Sequence, residues 1–286
     1  MPSPMPTITL PSSEEIAVLG QGTWHLAENR ARRPSEIAAL RHGIDAGMKL
    51  IDTAEMYADG DAEILVGEAI SGRREQVFLV SKVLPHHATR QGTPRACEAS
   101  LRRLGTDRLD LYLLHWRGPV PLAETAEAFM ALQARGLIRN WGVSNFDVGD
   151  MAELLSLPGG NEVQTDQVLY SPSRRAPEFE LLPICQELNI PIMAYSPIEQ
   201  GRILRRPVLR DTAARRDATP AQVAWPGCYA RTASAPSRGP AGRITWPRTV
   251  RRSTSSWIAM TWPPWTRSSR RPYTRSRSRC SDGTIP

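Results

Sequence analysis

The sequence predicts an α/β chain folded as a (β/α)8 TIM barrel that stops one unit short, and three observations carry the expectation. Short apolar runs alternate with amphipathic stretches of helical length from Ile16 onward, the pattern of parallel strands joined by crossover helices. Polar residues able to do chemistry sit at the C-terminal ends of successive apolar runs, where barrels carry their sites. A length of 286 residues suits one barrel, which commonly takes about 250.

Seven strand candidates follow in order: Ala17–Gly20, Leu50–Thr53, Val77–Lys82, Leu109–His115, Asn140–Ser144, Glu162–Val168 and Pro191–Ser196. Several are continuous apolar runs, as strands covered on both faces should be. Between them, Ser35–Met48 sets Ile37, Leu40 and Ile44 at helical spacing after Pro34 and stops at Gly47. Glu124–Arg135 groups Ala126, Phe129, Met130 and Leu132 and stops at Gly136. Both read as helices covering the barrel. After Ala224 neither an eighth strand nor its helix follows, so the expected organisation is an open barrel over 1–224 and an unrelated, disordered tail over 225–286.

The net charge of +7 suggests a nucleic-acid partner until it is divided by segment. Residues 225–286 hold 12 Arg, no Lys and one acid, Asp282, for +11; the remainder, with 24 basic and 28 acidic residues, carries −4. The basic balance belongs to the tail, so the barrel itself is expected to bind no nucleic acid. Cys97, Cys185, Cys228 and Cys280 are scattered, with no C-x-x-C pair and no metal-ligand spacing, which fits a cytoplasmic setting without a metal site. Met1–Leu10 has no basic start followed by a long apolar run, and no stretch approaches the roughly 18 to 20 apolar residues of a membrane span. A soluble, unexported chain with no membrane partner is the expectation.

Asp52, Tyr57, Lys82 and His115 lie at or just beyond the ends of successive strand candidates. Carbonyl reduction needs an acid for the developing alkoxide, and a phenol becomes useful when a nearby ammonium favours its anion. Lys82 beside Tyr57 would do this, with Asp52 holding the ammonium charged and in place. His115 would donate a hydrogen bond to the substrate oxygen and orient it.

The segments around these residues resemble those of the aldo-keto reductase family. GMKLIDTAEMYADGDAEILVGEAI is similar to the family signature with its Asp and Tyr, and VSKV and DLYLLHW are similar to the segments with its Lys and His. GVSNF, QVLY and AYSPI follow in family order, so that six ordered segments span about 150 residues. The resemblance implies reduction of an aldehyde or ketone with NADPH, Tyr57 as proton donor, and a small-molecule carbonyl substrate. It further implies that Gly22 and Thr23 border the cofactor, and that Ser144, Asn145 and Gln167 hydrogen-bond the nicotinamide carboxamide. Tyr195 would stack on its ring, Ser196 and Pro197 would begin the loop on the pyrophosphate, and Trp24 and Trp116 would line an apolar substrate mouth beside His115. A monomer is expected. Where family members often carry Trp-Pro after the His, this chain has Arg117 after Trp116, and the short loop Gly118–Leu122 points to a compact pocket.

The resemblance stops inside ATPAQVAWPG, and from Trp225 onward the composition turns to Arg, Ser, Pro and Trp, with five of the eight tryptophans. Family members have there an eighth strand ending near Ile-Pro-Lys or Ile-Pro-Arg, then a segment gripping the adenosine and its 2′-phosphate. A single-base deletion after the codon for Ala224 would account for the change. Shifting the frame lets 226–269 be re-read with an Ile-Pro-Arg strand and two amphipathic helices. After Trp or Met, whose codons are unique, Pro226, Pro247 and Pro263 are forced to Ala, and Ile258, Thr261 and Thr266 to Asp. Two other readings compete with the reductase: a catalytically impaired or cofactor-binding accessory protein of the same fold, and a tail whose arginines and aromatics bind nucleic acid.

Overall fold

The computed structural model describes residues 5–221, 223, 224 and, as backbone alone, 257–261. Seven parallel strands form the wall of a barrel: β3 (Leu19–Gly22), β4 (Leu50–Asp52), β5 (Phe78–Val83), β6 (Leu109–Leu114), β7 (Ile138–Ser144), β8 (Asp166–Leu169) and β9 (Ile192–Tyr195). They follow the predicted runs within a few residues. The exception is Ala17, which belongs instead to a hairpin of β1 (Thr7–Thr9) and β2 (Glu15–Ala17). Helices α1 (Arg33–Asp45), α2 (Asp61–Ile70), α3 (Gly92–Leu104), α4 (Leu122–Ala134), α5 (Val148–Leu155), α6 (Leu181–Glu187) and α7 (Pro207–Arg215) follow the strands in alternation. The predicted stop of α1 is real: Gly47 takes φ +91°, a conformation open to glycine, while Met48 N–H bonds back to the Gly43 carbonyl.

Side chains alternate across the wall even where the run is wholly apolar. Leu50, Phe78, Val80, Leu111, Leu113 and Met193 point inward and form one cluster with Leu10 and Ile16 of the hairpin, which plugs the bottom. Ile51, Leu79, Tyr112, Leu114, Trp141 and Val143 pack outward among the helices. The plug is tied down by Ser12 N–H to Gln164 Oε1 (2.8 Å) and by Glu14, which accepts from Asn140 Nδ2 (2.9 Å) and pairs with Arg139 (3.1 Å). Asp52, Lys82 and His115 each come two residues after an inward position, so parity alone aims them into the open upper mouth.

Among the described residues the wall has seven parallel strands and no eighth parallel unit, as expected, but the gap is not left open. A strand β10 (Trp257–Thr261) lies between β9 and β3, antiparallel to both, with Ile258 opposite Gly20 on one side and Tyr195 on the other. The strand edges of β9 and β3 would otherwise present rows of bare N–H and C=O groups, and an extended segment that reaches them satisfies both at once. Running against its neighbours, β10 puts its first residue, Trp257, opposite Gln21 near the catalytic end. Its last residue, Thr261, pairs with Ile192 at the start of β9, away from that end.

Candidate active site

Lys82 is the hub of the site. Its ammonium is fully buried and spends all three protons: on Asp52 Oδ2 at 2.6 Å, on the Thr53 carbonyl at 2.9 Å and on the Tyr57 hydroxyl oxygen at 3.2 Å. The second Asp52 oxygen accepts from Gln167 Nε2 at 2.8 Å. Because Tyr57 Oη accepts from Lys82, its own O–H is left to donate into the mouth. Tyr57 is brought there by a tight 3-10 turn, Tyr57–Gly60, in which Ala58 and Asp59 take φ +48° and +53°. His115, just past β6, lies 5.8 Å ring to ring from Tyr57.

Burial governs the electrostatics. It pushes Tyr57 above its ordinary value, and the lowering by Lys82 does not cancel it. This reverses the direction expected from the sequence, where only the ammonium was in view: the phenol is held as an acid, not drawn toward its anion. Burial alone would pull Lys82 down, but Asp52 and Tyr57 outweigh it and hold the ammonium above its usual value. Asp52 is raised by burial against the lowering by Lys82 and Gln167. His115 is pushed down to about 3 by burial and then by Lys82, so its ring is neutral at neutral pH. Its Nδ1 is buried without a partner among the described residues, which leaves Nε2 as the nitrogen able to serve the mouth.

A cavity of about 340 Å³ opens over these residues, lined by Gly22, Trp24, Asp52, Met56, Tyr57, His115, Trp116, Ser144, Asn145, Gln167, Tyr195, Ser196 and Gln200. Most of the predicted site residues therefore share one space. Asn145, in the left-handed region at φ +58°, bridges three strand ends: Nδ2 donates to the His115 carbonyl and to Ser144 Oγ (both 3.1 Å), and Oδ1 accepts from Tyr195 Oη at 2.9 Å. Trp24 and Trp116 flank the mouth, 4.9 Å ring to ring from Tyr57 and His115 respectively. Three predicted residues lie off the lining. Thr23 is fully buried, with its N–H and hydroxyl both on the Asp52 carbonyl (3.0 and 3.1 Å). Pro197, next in chain to Ser196, and Lys82, which donates to Tyr57 Oη, are the other two. Met56 and Gln200 line the cavity unforeseen. Adjacency to Tyr57 could have flagged Met56; Gln200 arrives through a turn at Glu199 and Gln200 (φ +53° and +49°) that no sequence pattern marked.

Among the described residues no group of His, Cys, Asp and Glu could hold a metal, and no helix is long and apolar enough to cross a membrane. The profile of the aldo/keto reductase family matches residues 18–247. The chain is 56% identical over 196 residues to the methylglyoxal reductase YeaE of Escherichia coli, covering 68% of this chain and 69% of that one. An aldo-keto reductase of Mycolicibacterium smegmatis is 35% identical over 229 residues, covering 76% of this chain and 77% of its own. The crystal structure of an aldo/keto reductase from Klebsiella pneumoniae in complex with NADP and acetate superposes with a TM-score of 0.76 at 48% identity, over 79% of this chain and 82% of that chain. Seven barrel strands, an Asp–Lys–Tyr line at their upper ends and these likenesses agree: the chain belongs to the aldo/keto reductase family.

Proposed function

We propose that the chain reduces a small aldehyde or ketone to the alcohol with NADPH, Tyr57 giving the proton. The observation that carries this reading is the Asp52–Lys82–Tyr57 hydrogen-bonded line on the floor of the cavity, which leaves one acidic O–H facing the space above it. The donor set suits a nicotinamide carboxamide. Gln167 Nε2 is spent on Asp52, so its Oε1 is the end able to accept from an amide, and Ser144 Oγ lies within the same wall. Tyr195 supplies an aromatic face to the lining, and Ser196 begins the loop beyond it. NADPH, when bound, supplies the hydride.

His115 Nε2–H donates to the carbonyl oxygen and orients it toward the Tyr57 hydroxyl. As negative charge develops on that oxygen, the proton passes from Tyr57 Oη to it, and Lys82 stabilises the phenolate left behind. Asp52 keeps Lys82 charged. Trp24 and Trp116 exclude water from the mouth. The name of the Escherichia coli relative, methylglyoxal reductase, together with the modest cavity, favours small α-oxo aldehydes as substrates.

We also infer that residues 225–286 replace the segment with which relatives grip the adenosine end, as a frame change at codon 224 would produce, and that NADPH affinity is weakened. Nearly all of that region lies outside the described residues. The antiparallel direction of β10 supports the inference, because a family eighth strand would run the other way. The test for both statements is one experiment on the full chain: NADPH binding by fluorescence, then methylglyoxal reduction at saturating NADPH for wild type and Tyr57→Phe. The variant should bind NADPH as wild type does and lose about 10²-fold or more in rate. An active Tyr57→Phe would overturn the proton-donor role, and a dissociation constant below about 1 μM would overturn the weakened affinity.

A further inference from the structure

We propose that Arg117 determines specificity: by staking 117–121 to α5 it holds Trp116 over the mouth and confines the site to small carbonyls. The proposal rests on the reductase reading above. The stretch between Trp116 and the start of α4 at Leu122 is five residues long and contains Pro119 and Pro121, which have no N–H to give. The Arg117 guanidinium supplies the missing donors. Nη1 bonds the carbonyls of Gly118 and, at 2.9 Å, Val120, while Nη2 reaches Glu153 Oε1 at 3.1 Å and Nε stands 4.0 Å from Asp150 Oδ1. Both acids belong to α5, and Asp150 is also the reciprocal partner in its N-terminal capping box.

The opposite flank is equally tight. A Cβ on Gly118 would stand 2.3 Å from Pro85 Cβ, so the loop backbone lies directly against the proline. The chain before Pro85 is held in turn by Leu84 N–H on Glu55 Oε1 at 2.6 Å, two residues from Tyr57. Trp116, next in chain to this clamped arginine, is 38% exposed, stands beside His115 and lines the cavity over Tyr57. A planar fork spans two carbonyls and a carboxylate together; a lysine, as a point charge, does not.

The test uses the full chain as wild type, Arg117→Ala, Arg117→Lys and Glu153→Ala, with methylglyoxal and its bulkier analogue phenylglyoxal. Amide hydrogen exchange in 116–121 should quicken about tenfold in Arg117→Ala with the barrel strands unchanged. The ratio of kcat/KM for methylglyoxal over phenylglyoxal should fall about tenfold, through KM, with Arg117→Lys and Glu153→Ala intermediate. Unchanged exchange, or equal losses on both substrates as simple destabilisation would give, overturns the latch. A wild type that turns over neither compound sinks the reductase reading and the specificity role with it. A wild type active on methylglyoxal whose ratio is untouched by Arg117→Ala sinks the latch alone.

Discussion

Replacing His115 with Gln should flatten the acid side of the stability curve. In the unfolded chain the imidazole titrates near its ordinary value of 6.5, while in the fold burial and then Lys82 push it down to about 3. Between those values the unfolded chain binds a proton that the folded chain refuses. The stability contribution is therefore complete above 6.5 and is lost as the pH falls toward 3. At about 1.4 kcal/mol per pH unit, the loss is about 2 kcal/mol at pH 5 and about 5 kcal/mol at pH 3. Glutamine does not titrate, and since Nδ1 has no partner among the described residues, the change removes little else there. Urea unfolding of wild type and His115→Gln at pH 7 and pH 5 measures the difference directly, with Asp52 and the other histidines common to both. Wild type should lose about 2 kcal/mol more than the variant over that step. Equal losses would refute the neutral, buried imidazole and its role as a hydrogen-bond donor.

Two further outcomes concern the hub and the closure of the ring. Lys82→Met should cost about 3–5 kcal/mol in urea, because it strands the Asp52 carboxylate in a site only 2% exposed, and Asp52→Asn added to it should recover most of that loss. A single-variant cost below about 1 kcal/mol would contradict the buried pair. Ala259→Pro should destabilise the chain by about 3 kcal/mol, since position 259 lies between Leu19 and Ala194 in a strand paired on both edges, where its N–H has a ladder partner on one side or the other and proline has no N–H to give. An unaltered thermal transition would mean that β10 contributes nothing to holding β3 against β9.

Much of the barrel and the placing of its mouth could be read in one dimension, because parallel strands are local apolar runs and their ends are local too. Asp52, Lys82 and His115 share a parity with Leu50, Val80 and Leu113, so once the runs are strands the three side chains must meet at one mouth. The sign of the Tyr57 shift was not legible, since desolvation depends on everything packed around the phenol and no neighbour in sequence reports it. Met56 and Gln200 joined the cavity, and Thr23 left it, for the same reason: backbone turns at Ala58 and Gln200 and one carbonyl at Asp52 decide which way those side chains face. The sequence by itself determined seven parallel strands and the family, and it placed Asp52, Lys82 and His115 at strand ends that share one mouth, whereas the family match runs on to residue 247, past the break read at Ala224. Only the tertiary structure decided that the hairpin Thr7–Ala17 plugs the bottom and that Trp257–Thr261 fills the gap backwards. Pairing between residues more than 60 apart in the chain, such as Ile258 and Tyr195, is governed by which bare edges meet in space, and periodicity carries no information about that.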